Sequence, residues 1–182
     1  TIAVELHQGR ASSSDIYFDF TSLTTRKDLD GEAEVKAVSL NVGSDETSRN
    51  VAWYSNSTNP GVVQLAEKDD MTGDAFPEQY VEFTASSQTA NAAGFNSFFA
   101  TMKVKPGTAY VYRVGNADGW SDTYSFTAKE ISDGFSFLFA GDPQIGSSGN
   151  AGNDTAGWNN TLTQAMSQFS DASFLISAGD QV

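Results

Sequence analysis

TAYVYRVGNADGWSDTYSFTA, residues 108–128, reads as two strands with a turn between them. Tyr110, Tyr112 and Val114 recur at every second position, the pattern of a half-buried strand. Asp118-Gly119 lies between TAYVYRVG and DTYSFTA. That dipeptide accepts the left-handed torsions of a tight hairpin, so the two runs are expected to pair. The same grammar recurs upstream: Ile16, Phe18 and Phe20 alternate in DIYFDF, Val38, Leu40 and Val42 in AVSLNV, and Val51 and Trp53 lead a further stretch. Several short strands at this spacing predict an all-β sandwich from about Thr1 to Thr127. Trp53 reads as core between the sheets. The stretch from Phe76 to Phe99, with Asn91-Ala92-Ala93-Gly94 inside it, is less regular and reads as a long sandwich loop.

The pattern changes near Ser132-Asp133-Gly134, with a linker expected around residues 128–134. Phe135 to Ala140 (FSFLFA) is a nearly continuous apolar run, which predicts a strand buried on both faces. The polar stretch GDPQIGSSGNAGN follows, then Asp154 or Thr155 as a helix cap. Trp158, Leu162, Met166 and Phe169 recur at helical spacing and define one face. Ser173 to Ala178 (SFLISA) is a second apolar run. Strand, helix and strand in this order predict a βαβ unit with parallel strands and a right-handed crossover. The domains read as 1–130, the sandwich, and 131–182, the start of an α/β domain.

Composition narrows the functions. Hydrophobic residues at 39% and aromatics at 12% suit a packed core and argue against disorder. A net charge of -13 repels nucleic acid phosphates, so no nucleic acid partner is expected. All ten Lys and Arg lie at or before Lys129; six acids follow it, Glu130, Asp133, Asp142, Asp154, Asp171 and Asp180. If this tail handles phosphate, it does so through metal cations, backbone N–H groups or residues outside this stretch; the alternative is that its acidity serves solubility alone. The absence of Cys excludes disulfides, thiolate metal sites and Cys nucleophiles. No apolar run is long enough to span a bilayer. The start TIAVELHQG has no basic-then-apolar leader, and with Thr rather than Met at residue 1, upstream processing or trimming is expected. The many Ser, Thr, Asn and Gly residues suit an exported, extracellular protein.

The chemistry gathers at two strand ends. Phe139-Ala140 runs into Gly141-Asp142, and Ser177-Ala178 into Gly179-Asp180. Parallel neighbours about 4.8 Å apart would bring Asp142 and Asp180 to one crevice, where open α/β sheets bind ligands. Two such carboxylates repel each other, and a cation that draws on both removes the conflict. The competing reading makes each Gly-Asp a turn or a helix cap. Matched copies at both strand ends favour the shared site. Residues Ser147 to Asn153 read as a loop at the edge of that site; they lack the regular acidic spacing of a calcium loop. Asn56-Ser57-Thr58, Asn153-Asp154-Thr155 and Asn159-Asn160-Thr161 match glycosylation sequons, which matter only in a eukaryotic secretory setting.

Three resemblances follow from these residues. Val104-Lys105-Pro106-Gly107-Thr108-Ala109-Tyr110 resembles the turn into the penultimate strand of a fibronectin-type-III domain, which implies a buried Tyr110 ring with its hydroxyl bonded to backbone. GDPQIG followed by GDQV resembles the first two motifs of the calcineurin-like metallophosphoesterases. NVGSDETSRNVAWYS and KPGTAYVYRVG are similar to the amino-terminal domain of purple acid phosphatases. Together they cover roughly residues 35 to 182 and imply a fibronectin-type-III-like sandwich followed by the first βαβ unit of a metallophosphoesterase domain. The implied activity is hydrolysis of phosphate esters by two metal ions, divalent or trivalent, with Fe, Zn and Mn as candidates. Asp142 would bind one metal and Asp180 bridge both. Gln144 stands where the wider superfamily often has His and purple acid phosphatases commonly have Gly. As a poor metal ligand it is assigned a loop-stabilising or substrate-facing role. The family's Tyr ligand would fall just after Val182, and its later Asn and His ligands have no counterpart here. His7, the single His, is not a ligand. The chain is therefore expected to be an incomplete, inactive portion of the enzyme. The rival reading is a fibronectin-like adhesion or binding module with a non-catalytic βαβ tail.

Overall fold

The computed structural model describes residues 32–132 and 134–182. The alternation at Ile16, Phe18 and Phe20, and His7, lie outside the described residues. In chain order the strands β1 (Val35–Val42), β2 (Ser48–Ser55), β3 (Val62–Glu67), β4 (Val81–Thr84), β5 (Ser86–Thr89), β6 (Asn96–Lys103), β7 (Thr108–Asn116), β8 (Gly119–Trp120) and β9 (Tyr124–Ala128) make two antiparallel sheets. One has the order β1-β2-β6-β5; the other runs β4-β3-β7, with β8 and β9 both paired to β7.

Register explains the core. In β2 and β6 the cross-strand partners Val51↔Ala100 and Trp53↔Phe98 are buried together, so the inward sets of the two strands coincide. Val63 and Leu65 pair with Val114 and Tyr112 in the opposite sheet, and these four are also buried. The inner faces therefore meet in one apolar cluster that includes Met102, Val104, Tyr110 and Ala128. Trp53 is 1% exposed and stacks on Phe98 with ring centroids 5.4 Å apart and 10° between planes. The Tyr110 ring is buried, and its hydroxyl accepts a hydrogen bond from the Lys105 backbone N–H at 2.9 Å, closing the corner before β7.

Two expectations for the sandwich need correction. Residues 76–99 are not a long loop: they contain β4, β5 and the start of β6. Both short strands lie at sheet edges and are largely exposed, β5 (Ser86-Ser87-Gln88-Thr89) completely so. β5, with solvent on both faces, has no apolar alternation to display, while β4 (Val81-Glu82-Phe83-Thr84) packs Phe83 against the core but alternates over only four residues, which hid them. At the hairpin, β7 and β9 do pair, from Thr108↔Ala128 to Tyr112↔Tyr124. Asp118-Gly119 does not supply left-handed torsions, however, since neither residue has a positive φ. Asp118 is instead a polar anchor: its Oδ2 accepts from Ser57 Oγ and Asn59 Nδ2, both at 2.6 Å. Gly119 is needed for close approach, because a Cβ there would lie 2.3 Å from the Ala33 carbonyl oxygen.

After β9 come β10 (Leu138–Ala140), α1 (Ala151–Gln168) and β11 (Leu175–Ser177), with β10 and β11 paired in parallel. This is the expected βαβ order. The expected burial is absent: Phe135, Phe137 and Phe139 are 55%, 46% and 69% exposed, and every residue of β11 is exposed. A parallel sheet is buried only when layers cover both faces. Among the described residues the only α-helix is α1, and it has no buried residue of its own. Trp158 and Leu162 are half-buried, whereas Met166 and Phe169 are exposed. The helix also begins earlier than expected. Its N-cap is Asn150, whose side chain accepts from the Asn153 N–H at 3.1 Å, not Asp154 or Thr155. No helix among the described residues is long and apolar enough to cross a membrane.

Candidate metal-binding edge

The β10–β11 ladder pairs Leu138↔Leu175, Phe139↔Ile176 and Ala140↔Ser177. Pairing continues past the strands. The Ala178 N–H donates to Ala140 O at 2.8 Å, Asp142 N to Gly179 O at 3.3 Å, Gln144 N to Asp180 O at 2.9 Å and Ile145 N to Gln181 O at 3.1 Å. The two Gly-Asp loops thus leave the same sheet edge with their backbones zipped together. Asp142 stands beside Gly179, so the two aspartates are offset by one position.

Both aspartates have left-handed backbones, φ 50° at Asp142 and 43° at Asp180, and Gln144 joins them at 42°. Asp tolerates this region better than most L-residues because of its short polar side chain. The preceding glycines act differently. Gly179 has φ 112°, open chiefly to glycine. Gly141 is in an ordinary conformation, but a Cβ there would lie 3.0 Å from the Ala178 Cβ, so it permits the close approach of the two loops.

Neither carboxylate is used by the fold. Among the described residues, Asp142 and Asp180 side chains accept no hydrogen bond and pair with no cation, and both are exposed. Structural aspartates elsewhere in the chain behave otherwise. Asp45 Oδ1 accepts from Thr47 N at 2.9 Å and Thr47 Oγ1 at 2.7 Å, and these bonds hold its carboxyl below the usual range. Asp154 Oδ1 accepts from Ser148 Oγ at 2.7 Å, and its Oδ2 from Gly146 N at 2.9 Å and Ser148 N at 3.3 Å. The Ser148 hydroxyl bond chiefly, then the Gly146 amide, lowers its pKa.

Two free hard-oxygen donors on zipped loops fit one side of a site for an oxygen-loving cation. They do not complete one: no group of three or more His, Cys, Asp or Glu suited to a metal gathers among the described residues. Gln144 contributes backbone only, its N–H bonding to Asp180 O and its carbonyl accepting from Ser147 N at 3.0 Å. Sequence reasoning missed Asp154 as the organiser of the loop. The signal was its position eight residues after Gly146, behind two flexible glycines. A cleft of about 350 Å³ lined by Leu138, Met166, Phe169, Phe174 and Leu175 sits at the opposite, amino-terminal ends of the strands. It is remote from these carboxylates.

Residues 35–128 match the family described as purple acid phosphatase, N-terminal domain. Among solved structures, a purple acid phosphatase from yellow lupin (Lupinus luteus) seeds, PPD1, aligns with TM-score 0.57 and 17% identity, covering 80% of this chain and 29% of that one. Residues up to 128 make up less than that share of the chain, so the common fold extends into the β10–α1–β11 unit. The sensor domain of the anti-sigma factor RsgI4 from Pseudobacteroides cellulosolvens aligns at TM-score 0.36 with 20% identity, over 59% of this chain and 98% of that one, too loosely to carry weight. No curated protein matches the sequence significantly.

Proposed function

We infer the function from this premise: the chain belongs to the purple acid phosphatase N-terminal domain family through residues 35–128. It spans 29% of the length of the lupin phosphatase that shares its fold. On our reading, residues 1–130 are the supporting sandwich and 131–182 open the catalytic domain of a longer metal-dependent phosphate-ester hydrolase. The observation that carries this is the zipped pair of Gly-Asp loops at one end of a parallel strand pair, each with an unpartnered carboxylate.

Asp142 would hold one metal ion and Asp180 would share in both. Two such ions, of Fe, Zn or Mn type, would, when bound, supply a nucleophile near neutral pH and neutralise charge developing on the phosphoryl oxygens. The chain's own part is to present the carboxylates and fix their spacing through the bonds from Asp142 N and Gln144 N to the neighbouring loop. No Lys or Arg follows Lys129, so no side-chain cation of this tail competes with the metals for the carboxylates. The leaving-group acid belongs to residues after Val182. The substrate is a phosphate ester. The acidic charge keeps nucleic acid out of this reading, and the composition suits export.

The test is hydrolysis of a chromogenic phosphomonoester by the longer protein with added Mn, Zn or iron. Metal-dependent turnover that Asp142→Asn and Asp180→Asn each abolish is expected. An Asp180→Asn enzyme as active as its parent would show that the shared carboxylate lies elsewhere.

A further inference from the structure

We propose that Asp154 is the positioning residue for Asp142: its carboxylate clamps the loop between β10 and α1 and thereby fixes the backbone that presents the metal-binding aspartate. The inference rests on the metal-site reading above and adds to it a residue outside the two Gly-Asp motifs.

The loop from Gly141 to Asn150 has every reason to move. It carries two glycines at positive φ, Gly146 at 106° and Gly149 at 80°, and two non-glycine residues in the left-handed region, Asp142 and Gln144. Its residues are mostly exposed, so packing does not hold it. Hydrogen bonds do: besides its own turn bonds, Ser147 N to Gln144 O and Gly149 N to Gly146 O, both at 3.0 Å, two sets tie the loop to its surroundings. The front half, Asp142 to Ile145, is tied to the loop after β11. The back half is tied by one side chain, Asp154, which takes the amides of Gly146 and Ser148 and the Ser148 hydroxyl. The Ser148 hydroxyl oxygen in turn accepts from Asn150 N at 3.2 Å, and Asn150 caps α1. The clamp therefore runs from Gly146 through Ser148 and Asn150 into the first turn of the helix.

The position suits a carboxylate. Asp154 lies in the first turn of α1, where the helix dipole favours negative charge. Its three acceptor contacts suit an ionised group, and hydrogen bonds to a carboxylate are stronger than neutral ones. Without them, Gly146 and Ser148 lose their described side-chain partner, and the front half must hold Asp142 alone against left-handed torsions. Replacing groups that orient a metal ligand from behind typically costs roughly 10–100-fold in metal affinity or activity.

Asp154→Ala and Asp154→Asn separate the possibilities. In the 182-residue chain without metal, amide exchange at Gly146 and Ser148 should rise roughly tenfold in Asp154→Ala, as expected for losing a charged acceptor. Gln144 and Ile145 should follow, while Val63 and Val114 in the sandwich stay protected. In the longer protein, Mn2+ affinity should fall roughly tenfold or more, with saturating Mn2+ restoring turnover. Asp154→Asn, keeping the shape and one acceptor oxygen, should fall between the two. Unchanged exchange at Gln144 and Ile145, or unchanged Mn2+ affinity while Asp142→Asn loses it, would overturn the positioning role. Mn2+ affinity unaffected by Asp142→Asn would instead overturn the metal site, and the positioning role with it.

Discussion

Gly61 sits where a methyl group has nowhere to go. A Cβ built there would come within 2.6 Å of Phe98 Cδ1 and 2.9 Å of Trp53 Cζ2, the two rings stacked at the centre of the sandwich. Close-packed cores transmit such an intrusion as strain. Gly61→Ala should therefore destabilise the sandwich by about 1–3 kcal/mol, read as a lower urea midpoint at unchanged slope. Phe98→Leu, made together with it, should recover part of the loss, giving a coupling that neither single change shows alone. If Gly61→Ala unfolds at the parent's midpoint, the rings have room the structure does not show. Tyr112 makes a second residue-scale case. Burial, with Tyr124 5.4 Å away between ring centroids, pushes its phenol up to about 12. The unfolded chain then loses this proton first as pH rises, so the stability is present below about pH 10 and declines as pH climbs toward the folded value. Tyr112→Phe should flatten that alkaline decline in unfolding midpoint relative to the parent, and parallel curves for the two proteins would count against it.

At the scale of elements, the legible parts were those whose neighbours bury one face. β2, β6 and β7 show alternation because their inward positions meet the opposite sheet, and Trp53, Tyr110, Tyr112 and Val114 could be picked from the sequence alone. β5 could not, because an edge strand facing water is served by a wholly polar sequence, and β4 could not, because its alternation spans only four residues. Phe135 to Ala140 misled in the other direction. Its apolar run implied two covering layers, and the described residues supply only α1. The paired Gly-Asp ends were readable as a motif at fixed spacing. The clamp by Asp154 was not, since an Asp near a helix start reads most simply as its cap. That cap is Asn150, which gives a test at this scale. Asn150→Ala should cost α1 about 0.5–2 kcal/mol, seen as reduced helicity and faster exchange at Asn153. Since α1 has no buried residue, the urea midpoint of the sandwich should not move. A sandwich that weakens in step with the helix would show that α1 supports it although none of its residues is buried.

For the whole molecule, the division of labour between sandwich and tail sets what these 182 residues can do alone. The sandwich carries the core, while the tail carries exposed apolar residues and the free carboxylates. The two regions meet through Lys129, whose ammonium donates to the Asp171 carbonyl. Asp142 and Asp180 offer a cation at most two carboxylates, and no third His, Cys, Asp or Glu joins them among the described residues. Manganese, zinc and iron sites need more donors than that, and a site so thinly supplied and open to water binds weakly. The charge that would help, a net -13, is spread over the whole surface and screened within a Debye length of about 8 Å at physiological salt. The 182-residue chain should therefore bind Mn2+ only on the order of millimolar, like the weakest protein cation sites, and should not turn over a chromogenic phosphomonoester. Isothermal titration and a rate assay at saturating metal check both halves. The longer protein, assayed side by side, should bind far more tightly and hydrolyse the ester. Robust metal-dependent turnover by the 182 residues would mean that donors beyond Asp142 and Asp180 already stand in this chain.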